Sequence, residues 1–116
     1  MRASLSTERL ATIIHREIVY IISNVIGEKS FGYINVTEVK VTKDLSFANI
    51  YYTLLTDDKD MLLAAKNTLE NNKIEIRKEL AKKIKNCRKI PDLIFLFDDA
   101  IAYGNRIEEL LKQIKK

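Results

Sequence analysis

Between Asp58 and Cys87 apolar residues recur at helical spacing: Leu62, Ala65 and Leu69, then Ile76, Leu80, Ile84 and Cys87. One helix along that stripe does not fit a chain of this size. At 1.5 Å per residue it would be about 45 Å long, whereas a compact domain of 116 residues is only about 35 Å across. The stripe is interrupted between Leu69 and Ile76, where the one apolar residue, Ile74, points off it. Asn71 and Asn72 stand at the gap. "NKIE" has the form of a capping box, with Asn72 as N-cap and Glu75 at the third helical position. The spacing predicts two helices meeting at a break near Asn72.

The flanking segments read as different elements. Leu10, Ile13, Ile14, Ile18, Ile21, Ile22 and Val25 give a first helix one wide apolar face, with Ser6 or Thr7 placed to cap it and Gly27 beyond its end. "YINVTEVKV" and "FANIYYTLL" are rich in β-branched and aromatic residues and are joined by "TKDLS", the pattern of an antiparallel hairpin. In its second strand Ala48, Ile50, Tyr52 and Leu54 share one face, and Phe47, Asn49, Tyr51 and Thr53 the other. In its first strand the apolar phase switches between Ile34/Val36 and Val39/Val41. Either a bulge near Thr37 or partial burial of both faces explains the switch.

Pro91 disfavours helix at Ile90 and permits a strand to begin. "DLIFLF" is apolar at almost every position, as a buried strand would be. Ile101, Ile107, Leu110, Leu111 and Ile114 mark a C-terminal helix. The order is αββααβ followed by α. The expected class is α+β, a three-stranded sheet with helices packed on one face and a C-terminal helix. The length suits a single domain over residues 1–116.

Several function classes are disfavoured. No run of eighteen apolar residues occurs, so no membrane span is expected. Near the start, Glu8, Arg9, His15, Arg16 and Glu17 interrupt the apolar residues, unlike a signal peptide. One cysteine, Cys87, permits no internal disulfide and is placed on the apolar stripe; a reducing cytoplasm is the expected setting. One histidine and one cysteine make a structural zinc site an unlikely use of this chain. Glycines 27, 32 and 104 form no phosphate-binding loop. Asp57, Asp58 and Asp60 stand where a helix begins and suit a cap better than a metal site. Asp98 and Asp99 read the same way before the last helix. His15 borders the first helix's apolar face without a visible partner. No catalytic residue, cofactor or metal is expected.

Charge is the remaining signal. From Lys73 to Lys89 there are eight Lys/Arg and two Glu, a local net of +6, while the whole chain carries +4. On a helical wheel Ile76, Leu80, Ile84 and Cys87 lie within about 80°, and Lys78, Lys82 and Lys85 lie opposite them within about 60°. Arg77 and Arg88 occupy one flank, and Lys89 lies just past the end. A lysine-rich outer face usually serves solubility alone. Here the acids that would balance it lie in other segments, so a polyanion is an equally good account: each neutralised phosphate releases counterions. The candidate nucleic-acid-binding residues are Lys73, Arg77, Lys78, Lys82, Lys83, Lys85, Arg88 and Lys89, on a helix over 72–88. Phe47 and Tyr51 are candidates to stack on bases, and core packing explains them as well.

The αββααβ order with a cationic third helix resembles a type II KH domain, an RNA-binding fold. More closely, "VTEVKVTKDLSFANIYYTLL", "IRKELAKKIKNCRKIPDLIFLFDD" and "AIAYGNRIEELLKQI", with the "ERLATIIHREIVYII" start, resemble the bacterial ribosome-binding factor A family over nearly the whole chain. The resemblance implies a monomeric cytoplasmic factor that binds the free 30S ribosomal subunit. It further implies a role in late maturation and in 16S rRNA processing around the 5′-terminal helix, and in growth in the cold. Two departures stand out. KH domains carry a GxxG loop between the paired helices, and this family replaces it with an Ala-x-Gly kink. The matching positions here are Asn72, Lys73 and Ile74, without glycine. That loss argues against reading four bases in the usual KH groove and for docking on the nucleic-acid backbone. The segment before Pro91 is also one residue longer than the family pattern. The rival reading is a peripheral adaptor whose basic helix meets anionic lipid or an acidic protein. An RNA-processing enzyme is disfavoured by the lack of an acid–base or metal constellation.

Overall fold

A computed structural model describes residues 7–84 and 90–98. The expected C-terminal helix, Cys87, Lys85, Arg88 and Lys89 lie outside the described residues. The element order is α1 (Thr7–Val25), β1 (Asn35–Val41), β2 (Phe47–Thr53), α2 (Lys59–Asn71), α3 (Lys73–Lys83) and β3 (Asp92–Phe97). It is the α+β arrangement that the alternating periodicities predict.

The alternation in β2 sets the layers. Ala48, Ile50 and Tyr52 are buried beneath the helices, and the residues between them are not. β2 is the central strand, antiparallel to β1 and parallel to β3. The parallel pairing follows from the two-helix crossover, which returns the chain to the end of the sheet where β2 began. α1 supplies Leu10, Ile14, Ile18, Ile21 and Ile22 to the core, α2 supplies Ala65 and Leu69, and α3 supplies Ile76 and Leu80. At the end of α1, Gly27 adopts φ +69, and its N–H donates to the Ile22 carbonyl at 3.3 Å. A side chain there would sit in the left-handed region that L-residues avoid.

The phase switch in β1 is a bulge. Val36 pairs with Tyr52 and Glu38 with Tyr51, leaving Thr37 as the extra residue. Val36 and Val39 can therefore both face inward although they are three apart.

Two expectations are corrected. Asn72 stands at the N-cap position of α3 as expected, but its side chain makes no capping bond to that helix's amides. A capping asparagine needs an extended backbone to aim its side chain forward, and Asn72 has φ −106, ψ 6. Its Nδ2–H instead reaches back to the Thr68 carbonyl at 2.8 Å, and its own N–H is shared by the Thr68 and Leu69 carbonyls. Asn72 thus closes the C-terminus of α2, while its carbonyl accepts from Ile76 to open α3. The basic helix is also shorter than the apolar stripe implied. α3 ends at Lys83, where Ile84 leaves helical geometry at φ −117, ψ 47 and remains 4% exposed. Apolar spacing continues past a helix end whenever the next residue can still reach the core.

Candidate nucleic-acid interface

Burial of Ile76 and Leu80 fixes the roll of α3 and hence which way its cations point. Lys78, Lys82 and Lys83 face solvent, Lys73 and Arg77 are half-buried on the flank, and Ile74 is 80% exposed between them. The predicted cations Lys85, Arg88 and Lys89 lie outside the described residues.

The five described cations are not equivalent. Lys73 Nζ lies 2.9 Å from Glu70, and Lys82 Nζ lies 3.1 Å from Glu79. The Lys82 hydrogen bond and charge hold the Glu79 carboxyl below its usual value. Both are surface i,i+3 pairs, whose contribution is small and which a phosphate can displace. Lys78 and Lys83 pair with no carboxylate among the described residues.

Arg77 is different. Its Nη2 donates to the Ile90 carbonyl at 2.8 Å, its Nε to the Pro91 carbonyl at 3.2 Å, and Asp92 lies 3.2 Å from Nε. The guanidinium fork pins the entry of β3 to α3 and supplies donors to two carbonyls. The sequence offered one hint, its place on the flank of the wheel rather than on the ridge. Its partners, thirteen to fifteen residues away, were invisible.

Beside α3 runs an open groove of about 450 Å³, lined by Phe47, Lys73, Ile74, Arg77, Lys78 and Ile94 among others. Its lining is apolar at Phe47, Ile74, Leu93 and Ile94 and charged at Lys73, Arg77, Lys78 and Asp92, the acid being paired with Arg77. Phe47, 43% exposed, lies in it, while Tyr51 sits apart on the outer face of the sheet with Lys40 Nζ 5.7 Å from its ring centroid. Ile74 is the wall residue that charge counting missed; only its place off the apolar stripe signalled it.

One rival site resolves into a helix cap. Asp58 Oδ1 accepts from the backbone N–H of Asp60 at 2.9 Å and of Met61 at 3.1 Å, capping α2. Among the described residues no three His, Cys, Asp or Glu are grouped to hold a metal ion, and no helix is long and apolar enough to cross a membrane.

Comparison with known proteins is decisive. The model of the family described as ribosome-binding factor A matches residues 6–111. The chain belongs to the ribosome-binding factor A family. It is 49% identical over 112 residues to the ribosome-binding factor A of Phytoplasma mali, covering 97% of this chain and 98% of that one. It is 36% identical over 113 residues to that of Macrococcus caseolyticus, covering 97% of each. The crystal structure of ribosome-binding factor A from Thermus thermophilus shares the fold, with TM-score 0.64 and 21% identity over 79% of this chain and 96% of that one. A model of the Thermus thermophilus factor, fitted into an electron cryo-microscopy map of a 30S–RbfA complex, superposes with TM-score 0.62 and 23% identity. That comparison covers 78% of this chain and 93% of the other. Ribosome-binding factor A proteins are ribosome assembly factors rather than enzymes, and this chain is one of them.

Proposed function

We propose that this chain is a monomeric, cytoplasmic assembly factor of one domain that binds the free 30S subunit through 16S rRNA, with α3 as its docking element. It assists late maturation and rRNA processing near the 5′-terminal helix. The observation that carries the reading is the roll of α3: Ile76 and Leu80 are fully buried, so Lys78 and Lys82 are presented together and outward, with Lys83 exposed on the helix's flank. Lys73 extends this edge along the groove, and Arg77 holds the helix against β3. The absence of a glycine at the kink, with Ile74 in its place, favours contacts to the sugar–phosphate backbone over base reading. The same burial weighs against the lipid reading, because the large apolar residues of the basic helix are spent in the core, Ile74 apart.

Four neutralised phosphates, one each for Lys73, Lys78, Lys82 and Lys83, give a log–log salt slope of roughly −3. Replacing Lys78, Lys82 and Lys83 together by Glu should abolish co-sedimentation with free 30S subunits while circular dichroism stays native. Undiminished co-sedimentation of the triple variant would exclude α3 as the docking element. Flotation of the wild type with anionic vesicles would favour the peripheral adaptor instead.

A further inference from the structure

β1 is the edge strand of the sheet on the side away from β3. The hairpin sets its hydrogen-bonding phase. The Thr42 N–H donates to the Phe47 carbonyl at 2.9 Å, and in an antiparallel ladder bonded and unbonded pairs alternate. Val41 lies opposite Ala48, Lys40 opposite Asn49 and Val39 opposite Ile50. Lys40 therefore directs its N–H and carbonyl to β2, whereas Val39 and Val41 turn theirs away from the sheet. Among the described residues no backbone group meets them there.

This edge borders a groove. An open space of about 490 Å³ lies between α1 and β1, with Thr7, Glu8, Ala11, Thr12 and His15 on one wall and residues 37–41 on the other. Lys40 does not shield it: its Nζ sits 5.7 Å from the Tyr51 ring centroid, back over β2. A strand edge beside a helix flank suits an extended peptide, which main-chain bonds hold while alternate side chains enter the groove. Bulges commonly blunt such edges, and here the bulge stands at one end. Thr37 is the extra residue, and its Oγ1 donates to Asp98 Oδ2 at 2.6 Å across β2. Val39 and Val41 lie beyond it, in regular pairing.

We propose that this edge receives an extended segment of a partner protein as a fourth strand, antiparallel to β1. The N–H and carbonyl of Val39 and of Val41 pair with alternate residues of that segment. Its residue opposite Val39 points, as Val39 does, to the helix side, beside Ala11, and is apolar. The residues before and after it face outward, opposite Lys40 and Glu38 respectively, so an acid precedes it and a base follows. Glu38 and Lys40 lie 3.9 Å apart and are both largely exposed, free to take new partners. A second copy would match these charges, since β1 itself reads Glu-Val-Lys at 38–40. Its geometry does not match. Two-fold pairing about Val39 sets Val41 of each copy against the bulged Thr37 of the other, where the ladder is disrupted. A sugar–phosphate backbone lacks amide donors for the Val39 and Val41 carbonyls and would meet Glu8 and Glu38.

The test uses the full chain, isotope-labelled, and a capped seven-residue peptide of threonine and isoleucine with glutamate third, valine fourth and lysine fifth. Titration should shift the Val39 and Val41 amide resonances most and slow their exchange. Methylating the nitrogen of the peptide's valine removes a ladder donor and should weaken binding about tenfold. Exchanging its glutamate and lysine should weaken binding about threefold, and the double variant Glu38→Lys, Lys40→Glu should reverse that preference. Four results would overturn the proposal. Absence of any shift at millimolar peptide is the first. Undiminished binding of the methylated peptide would mean that side chains, rather than a strand ladder, hold it. Val39 and Val41 amides already protected without peptide would assign the edge to this chain itself, or to a second copy if protection grows with protein concentration. Shifts there with an oligoribonucleotide and none with the peptide would assign it to RNA. No residue of α3 lines this groove, so peptide binding can fail while 30S docking stands, and the reverse.

Discussion

Arg77→Gln separates a structural cation from a docking one. The substitution removes the donors to the Ile90 and Pro91 carbonyls and the partner of Asp92. A hydrogen bond made by a charged group contributes about 1.5–3 kcal/mol when well shielded. The Arg77 side chain is 42% exposed, so water recovers part of both bonds. The ion pair with Asp92, itself 67% exposed, adds at most about 1 kcal/mol before screening. A loss of about 2 kcal/mol results. At a urea dependence of about 1–2 kcal/mol per molar, the unfolding midpoint falls by about 1–2 M. Lys78→Gln, lacking such partners, should leave stability within about 0.5 kcal/mol. Binding to 30S subunits should show the mirror image: Lys78→Gln flattens the salt slope by about 1, and folded Arg77→Gln leaves it unchanged. If Arg77→Gln kept wild-type stability and lost a unit of slope, the assignment of its guanidinium to the α3–β3 junction would be wrong.

Two further outcomes are expected. Asp58→Ala should cost about 1 kcal/mol by uncapping α2 and lower the thermal midpoint by about 5 °C; Asp58→Asn should keep most of the cap, and equal melting of the two variants would count against it. Tyr52 titrates above its usual value because burial disfavours the phenolate, with the charge of Glu70 adding to the effect. The unfolded chain then releases that proton first, so the stability is intact below about pH 10 and declines as pH rises from there through the folded value. Urea midpoints from about pH 8 to 11 should fall less steeply in Tyr52→Phe than in the wild type, and parallel curves would mean that another group drives the decline.

How far the fold was legible can be judged residue by residue. Leu10 to Val25 repeats at the helical period, and Ala48 to Leu54 alternates; each pattern names its element and its buried face because both depend only on local geometry. The gap between Leu69 and Ile76 located the boundary of α2 and α3 for the same reason. The direction in which Asn72 spends its side chain was not legible. Forward and backward bonding are both open to an asparagine, and the crossing of two packed helices, through the backbone angles it imposes, selects one. The stop at Lys83 was hidden likewise: Ile84 satisfies the apolar period in either conformation. For the interface, the wheel sorted outward from inward lysines, whereas the distinction between Lys78 and Arg77 depends on carbonyls delivered by a distant turn.

What the chain order determines by itself is which residues must leave water, since transfer free energy belongs to each side chain and periodicity adds those preferences into faces. From this came the elements, the layer they share and the segment that carries the positive charge. Tertiary structure alone decided how polar groups are shared out: Arg77 to two carbonyls of the β3 entry, Asp98 to Thr37 across a strand, Asn72 to the helix behind it. Hydrogen bonds are directional and short, so their partners are settled only once packing has brought remote backbone within about 3 Å.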